Sequence, residues 1–169
     1  VGVDRRGPSG PVALVLADAH GNAVGSEEPA AIHALLAALA ASHRPFIGLG
    51  AKGVVGALAE IAPAESPLLL DDVALGTWIS NVTVRNPGLR EVATARLGAD
   101  IPERLAPLEE AALGALVALA ARAGLEAELA EAGTLRLYRE IELPLVEVLA
   151  RMEIAGIAVD RGRLDDLDG

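Results

Sequence analysis

The chain has 169 residues and carries 24 acidic against 14 basic side chains, a net charge of −10 at pH 7. Because negative charge repels a phosphate backbone, sequence-independent nucleic-acid binding by this chain alone is disfavoured. Cysteine is absent, which excludes disulfides and thiolate metal sites. Neither a bilayer-spanning apolar run nor a signal peptide is visible, so we expect a cytoplasmic protein whose core uses small aliphatic side chains.

The N-terminal half of the chain alternates short apolar strands with helices. The pattern predicts, in chain order, a strand at 1–4, a strand at 11–17, a hairpin turn at 18–22, a helix from Ser26 to Ser42, a strand at 45–49, a helix at 52–62 and a strand at 68–70. Ser26 is interpreted as the N-cap of its helix. Asp71 and Asp72 lead into a further helix ending near Asn81, and we interpret them as an N-cap and a first-turn acid.

The C-terminal half is predicted to be helical, with helices at 88–97, 108–132 and from 137 to about 152. Gly124 is a possible break in the second, Pro144 predicts a kink in the third, and Gly156 is its C-cap. The third helix has large apolar residues at three- and four-residue spacing, which predicts one buried face: Leu137, Ile141, Leu145, Val148, Leu149 and Met152. Strands followed by helices favour an α/β class.

Residues 137–160 read LYREIELPLVEVLARMEIAGIAVD. This order resembles the junction at which family A (bacterial pol I-type) DNA polymerases pass from the 3′–5′ exonuclease-like domain into the polymerase domain. The resemblance implies an RNase H-like 3′–5′ exonuclease fold, with a mixed sheet backed by helices and a long C-terminal helix. It divides the chain into an exonuclease-like domain at 1–133 and the start of the polymerase thumb at 134–169.

Four upstream segments resemble parts of the exonuclease-like domain of the same family. They are the strand, glycines, lysine and helix at 46–58, the segment opening on Asp72 at 72–81, the helix at 89–97 and the helix start at 108–111. An RNase H-like exonuclease holds two divalent metals with several carboxylates, so the family's acidic positions can be compared with this chain.

The carboxylates that the family uses for metal binding are largely missing here. Val54 stands at the position of the second motif's Asp. The first motif keeps Asp4 but has Arg6 in place of its Glu, and the third has Gly114 for Tyr and Ala120 near its Asp. One carboxylate cannot hold two metals, and an arginine adds positive charge beside it. The resemblance therefore implies a degenerate site with no catalytic residue, no metal and no cofactor in this chain.

The family resemblance implies a structural role within a longer DNA-directed DNA polymerase of replication and repair, as in GC-rich bacteria with an inactive exonuclease domain. Its partners would be the rest of the polymerase chain and, through the parent enzyme, DNA, with weak or no binding by this acidic chain. Mg²⁺ would belong to the parent polymerase domain. The helix at 137–152 would lack part of its partner surface, so we expect a homodimer through it or docking on the helix at 108–132.

Two other interpretations remain open from the sequence. The glycines of the Gly48–Gly56 loop contain a G-x-G-x-x-G string after a strand, which is a weak signal for an α/β module that binds a nucleotide or another anion. A residual metal site could centre on Asp4, Asp71 and Asp72. The three histidines show no spacing typical of metal ligands.

Overall fold

The computed structural model describes residues 2–4, 13–20, 22–63, 68–84 and 87–156. The strands are β1 Gly2–Asp4, β2 Ala13–Ala17, β3 Ala23–Ser26, β4 Phe46–Gly48 and β5 Leu69–Asp72. The helices are α1 Pro29–Ser42, α2 Lys52–Ile61, α3 Val73–Ser80, α4 Leu89–Val92, α5 Pro107–Ala121, α6 Leu125–Glu131, α7 Leu135–Leu137 and α8 Leu143–Ala155, with π-helical segments at Ala93–Leu97 and Tyr138–Glu142. The predicted α/β class is confirmed.

The described strands form two small sheets, so the expectation of one mixed sheet is wrong. Strands β1, β2 and β3 pair antiparallel in that order, and the predicted hairpin joins β2 to β3. Strands β4 and β5 pair in parallel, with an irregular register between Phe46 and Ile47. A cleft of about 390 Å³ is lined by residues of both sheets, including Leu16 and Phe46.

Helix α1 begins later than predicted, and Ser26 is not its N-cap. Ser26 is the last residue of β3, and its hydroxyl accepts a hydrogen bond from the Glu28 backbone N–H at 3.0 Å. Glu28 occupies the N-cap position and Pro29 the first helical turn. A proline fits there because the first-turn N–H groups have no partner within the helix.

The core is made of aliphatic clusters between the sheets and the helices. The largest joins β2, α1, β4, α2 and α8, and its buried members are Leu14, Ile32, Leu36, Phe46, Ala51, Val54, Val55, Leu58, Val146 and Ala150. A second lies between α3, α4 and α5. A third packs Ala13 and Val15 of β2 against Ala111 and Ala115 of α5. Since strand side chains alternate, Leu14 lies on the side of α1 while its two neighbours face α5.

The predicted break at Gly124 is confirmed. Gly124 has a φ of 82°, a left-handed conformation that glycine adopts without the clash of a Cβ atom, and it separates α5 from α6. Helix α5 starts with Pro107 and has acids in its first turn, as expected, and the Glu109 carboxylate accepts the Ala106 N–H at 2.9 Å.

The C-terminal helical region is irregular in the turn before Pro144. Residues 138–142 are π-helical, and Gly156 ends α8 with a φ of 69°, as predicted. Pro144 has no N–H to donate, and a wider turn accommodates the loss. Tyr138 and Val146 are eight residues apart, which in a regular α-helix leaves them about 80° apart around the axis. Tyr138 is buried with Leu125 and Leu129 of α6, whereas Val146 belongs to the cluster that contains α2.

The predicted buried face of this helix is exposed, so that prediction is wrong. All six large apolar residues of the predicted face are between 37% and 61% exposed. The buried positions are Tyr138, Val146 and Ala150. Helix α8 packs on α2, because the small residues Gly56 and Ala150 let the two helices approach closely. The docking on the helix at 108–132, one of the two expected outcomes, is found at the start of the region, where Tyr138 packs with Leu125 and Leu129.

Candidate functional site

The positions expected to carry the exonuclease carboxylates lie in different surroundings. Val54 is 2% exposed and belongs to the largest apolar cluster. Gly114 is buried in α5, and Ala120 is exposed near the end of that helix. Asp4 ends β1, where its backbone pairs with Ala13. Arg6 lies outside the described residues.

The structure brings only some of these positions together. Strands β1 and β2 pack on α5, so the strand of Asp4 lies beside the helix of Gly114 and Ala120. Val54 belongs to a different core cluster from the one that joins β2 to α5. The Val54 side chain fills core space with aliphatic atoms and offers no metal ligand.

The backbone N–H groups of the Gly48–Gly56 loop already bind a carboxylate of the protein itself, the side chain of Asp72. The Gly50 N–H donates to one carboxylate oxygen of Asp72 at 3.0 Å, and the Ala51 N–H donates to the other at 2.7 Å. Backbone N–H groups of this kind are what a phosphate would require. With Asp72 in place, an external phosphate would have to displace a buried carboxylate.

Backbone conformation and close packing explain why glycine occupies these positions of the loop. Gly50 has a φ of 69°, in the left-handed region. A Cβ atom on Gly48 would lie 2.6 Å from the Ala51 Cβ, too close for any side chain. Gly56 faces Ala150 across the contact between α2 and α8. The G-x-G-x-x-G string is therefore explained by a turn and by packing.

Asp72 is the N-cap of α3, one residue later than the order of the two predicted roles implies. Its Oδ1 also accepts the Ala74 N–H at 3.1 Å and the Leu75 N–H at 3.2 Å. The carboxylate thus joins the loop after β4 to the first turn of α3. Burial raises the pKa of Asp72 above its ordinary value, while the backbone N–H donors, those of Ala51 and Leu75 first, oppose the rise.

Asp71 is not the N-cap that the order of the two acids predicts. It lies in β5 and is 1% exposed, and because strand side chains alternate it faces away from Asp72. The Arg122 Nε lies 2.6 Å from its Oδ2, and the Arg139 Nη1 lies 2.9 Å from its Oδ1. The two guanidinium groups compensate a charge that would otherwise be costly to bury.

Tyr138, the single tyrosine of the chain, completes this network. Its hydroxyl oxygen accepts the Asp72 N–H at 3.0 Å, and its O–H donates to the Asp71 carboxylate at 3.2 Å. Burial, together with the charge of Asp71, raises the pKa of Tyr138 far above its ordinary value, so the hydroxyl stays protonated. The Arg139 guanidinium lies 5.4 Å from the centre of the ring. We call Asp71, Arg122, Tyr138 and Arg139 the buried ion network.

A cleft of about 630 Å³ opens beside the buried ion network. Asp71, Arg122, Glu126 and Arg139 contribute the charged groups of its lining. The two arginines face two carboxylates, so the cleft has no excess of positive charge for an anion. The network connects three parts of the fold, because its residues lie on β5, at the end of α5 and at the start of the C-terminal helical region.

The carboxylates of Asp71 and Asp72 do not converge on a metal position. Arginines and the tyrosine hydroxyl engage the first, and four backbone N–H groups engage the second. Within the described ranges, no group of three or more His, Asp or Glu side chains is arranged to hold a metal ion. The residual metal site considered from the sequence therefore gains no support from these two residues.

Sequence reasoning missed the arginines and Tyr138 as partners of Asp71. Arg122 and Arg139 lie 51 and 68 residues away from it in sequence, and only the fold brings them together. The one available signal was that a lone tyrosine opens the stretch on which the family resemblance rests. In the described part of the chain, no helix has the length and apolar character needed to cross a bilayer.

The comparison with solved structures shows what this chain is similar to. The chain matches no protein-family model and no curated protein. Among solved structures, it is similar to the POL domain of Pol1 from M. smegmatis, determined in complex with a DNA primer-template and dNTP. The two are 27% identical, with a TM-score of 0.72, over 94% of this chain and 28% of the Pol1 chain. This chain thus spans less than a third of that protein, and the similarity supports a relationship to polymerase I-type DNA polymerases.

Proposed function

We propose that this chain is part of a polymerase I-type DNA polymerase, in which residues 1–133 form a degenerate, RNase H-like 3′–5′ exonuclease domain. Residues 134–169 would begin the polymerase thumb. The domain acts as a structural support and does not remove nucleotides. The similarity to the Pol1 chain over 94% of the present residues carries the proposal.

The replaced carboxylates support the absence of exonuclease activity. Two-metal hydrolysis needs acidic ligands for both ions, and the metals stabilise the attacking and leaving oxygens. Val54 is packed in the core, where a charged Asp would be costly to bury without a partner. Gly114 and Ala120 on α5 have no side chain able to bind a metal or orient a water.

The buried ion network supports the proposed structural role. Asp71 is on β5 of the exonuclease-like part, whereas Tyr138 and Arg139 follow the proposed boundary at 133. Lys52 of α2 also pairs with Glu153 of α8, at 2.5 Å. These contacts tie the start of the proposed thumb to the α/β part, as a rigid support requires.

The proposed partners are the remainder of the polymerase chain and, through it, DNA. The M. smegmatis protein was solved with primer-template DNA and dNTP, but the present chain corresponds to only 28% of it. With a net charge of −10, this chain by itself would bind DNA weakly or not at all. The Mg²⁺ of polymerisation would be held by the parent polymerase domain, in the cytoplasm.

An exonuclease assay tests the proposal. The purified chain is incubated with 5′-labelled single-stranded DNA and either Mg²⁺ or Mn²⁺, and shortening from the 3′ end is followed on a gel. We expect no shortening by the chain, because its metal-binding acids are missing.

The matched variants are Asp4→Asn, at the one retained acidic position, and Asp100→Asn, at an exposed acid outside the described elements. Shortening that is lost in Asp4→Asn and kept in Asp100→Asn would contradict the proposal. Shortening that both variants retain does not depend on the retained acid and points to a contaminating nuclease.

A further inference from the structure

The end of β2 is covered by a neighbouring strand on one side only. On the β1 side, Gly2 pairs with Val15, and β2 continues two residues further, to Ala17. On the other side, Ala17 pairs with Ala23 of β3. Within the described ranges, therefore, no strand pairs with Ala17 on the side of β1.

The backbone N–H and C=O groups of Ala17 point toward this uncovered side. The Asp18 N–H donates to the Asn22 carbonyl at 2.9 Å, so these two residues form a hydrogen-bonded pair of the hairpin. Because such pairs alternate along an antiparallel ladder, Ala17 and Ala23 form a pair whose backbone groups point away from each other. Backbone groups that face an apolar cleft need a hydrogen-bonding partner.

The cleft of about 390 Å³ lies on the uncovered side of β2. Its lining comes from β2, β4, α1 and α5, with Leu16, Ala17, Phe46, Leu39 and Leu119 among the residues, and β3 contributes none of those described. Leu16 packs in the cluster of α1 and Ala17 in that of α5, so the two helices cover opposite faces of the sheet here. The cleft thus has the surroundings of a strand that is buried on both faces.

We propose that the segment preceding Gly2 in a longer chain continues β1 into this cleft and pairs with the uncovered end of β2. Ala17 lies two residues beyond Val15, so its partner position lies two residues before Gly2, directly ahead of Val1. The backbone groups at that position would bond those of Ala17. The inference rests on the proposed function in one respect, because a longer chain must supply the segment.

The direction of β1 favours this segment over a separate molecule. Strand β1 runs antiparallel to β2, so residues ahead of Gly2 enter the cleft beside Leu16 and Ala17 without an intervening loop. A segment that is already attached at this place loses less freedom on binding than a separate peptide does.

The walls of the cleft also predict the chemistry of the segment. Helices α1 and α5 cover both faces, and strands buried in this way are continuously apolar instead of alternating with polar residues. We therefore expect a short run of apolar, mainly β-branched residues directly ahead of Val1.

Amide hydrogen exchange tests the proposal. It compares the 169-residue chain with the same chain extended at its N-terminus by its own preceding residues, about five of them. We expect the Ala17 N–H to exchange at least about tenfold more slowly in the extended chain, because a strand partner then protects it. The Leu16 N–H is the matched control, since Leu16 pairs with Val24 and bonds to β3 in both proteins.

Blocking the cleft tests whether the segment lies inside it. Leu119→Trp places a large side chain in the cleft, so the extension should no longer slow the exchange of Ala17. Leu116→Trp is the matched variant on the same helix, because Leu116 is 51% exposed and does not line the cleft, and it should keep the effect. Circular dichroism shows whether each variant is folded, and the comparison of the two unsubstituted chains stands in either case.

Equal exchange of the Ala17 N–H in the two chains would overturn the proposal. Slower exchange that persists in a folded Leu119→Trp variant would also overturn it, because the segment would then protect β2 from outside the cleft. Charged residues directly ahead of Val1 would contradict the predicted apolar run. None of these results involves exonuclease activity, so failure here is distinct from failure of the proposed function.

Discussion

Asp71 and Asp72 are adjacent, yet their carboxylates bind groups on opposite sides of β5. The Asp72 carboxylate accepts hydrogen bonds from backbone N–H groups of the loop after β4 and of the start of α3. The Asp71 carboxylate forms ion pairs with two arginines and accepts a hydrogen bond from the Tyr138 hydroxyl. The alternation of strand side chains separates the two roles. An N-cap within the Asp71–Asp72 pair could be predicted because capping is local, whereas the partners of Asp71 are distant in sequence.

Tyr138 is the residue on which this arrangement depends most. Replacing Tyr138 with Phe removes the acceptor of the buried Asp72 N–H and one donor to Asp71. We expect Tyr138→Phe to lower the free energy of unfolding by about 1–3 kcal/mol, the cost of an unsatisfied buried polar group. Urea denaturation followed by circular dichroism measures it.

Arg136→Ala is the control for this substitution, because the Arg136 side chain is 86% exposed and forms an exposed ion pair with Glu140. Its effect should stay within about 0.5 kcal/mol, as for other exposed ion pairs. An equally small effect of Tyr138→Phe would mean that water satisfies the Asp72 N–H and that the network does not stabilise the fold.

At the scale of elements, the C-terminal helix shows why apolar spacing alone did not give the buried face. The six large apolar side chains of the predicted face are exposed to solvent, while the face on α2 uses small residues such as Ala150. Close helix contact favours small residues, which contribute little to an apolar pattern. The π-helical turn at 138–142 also changes the phase of the helix, so Tyr138 lies on a face that regular spacing does not assign to it.

The contact between α2 and α8 predicts the effect of enlarging Ala150. The Cβ of Ala150 lies 3.9 Å from where a Cβ on Gly56 would be, and Ala150 is 2% exposed. Ala150→Leu should destabilise the chain by about 1–3 kcal/mol, because the added atoms overpack the contact. Thermal unfolding compares it with Ala155→Leu, the same change at an exposed position of α8. Equal melting temperatures for the two variants would mean that α8 is not closely packed on α2.

Most of the other elements could be predicted from local signals. Gly124 and Gly156 were predicted as helix ends, and both have positive φ angles. The start of α1 was misplaced because Ser26 is a common N-cap residue, whereas here its hydroxyl serves a turn before the helix. The division into two sheets was not predictable, since it depends on which side chains line the cleft between β2 and β4.

For the whole molecule, we propose that a polymerase I-type exonuclease fold has kept its framework and lost its metal site. The similarity to the Pol1 chain supports the proposed framework. Long-range contacts such as the buried ion network hold its elements together. The proposed loss of acids at Val54 and Gly114 was an inference from their positions in the sequence. The sequence could not show that Leu14 of β2 joins one core cluster and its two neighbours another, because that depends on tertiary packing.

Metal binding by the purified chain tests this claim most directly, because a contaminating nuclease cannot imitate its stoichiometry. Mn²⁺ is titrated into the chain and its binding followed by water-proton relaxation, with Asp4→Asn as the comparison. We predict no saturable site and identical titrations for the two proteins. Two Mn²⁺ ions per chain, lost in Asp4→Asn, would contradict the account, because the metal centre of the exonuclease would then still be present.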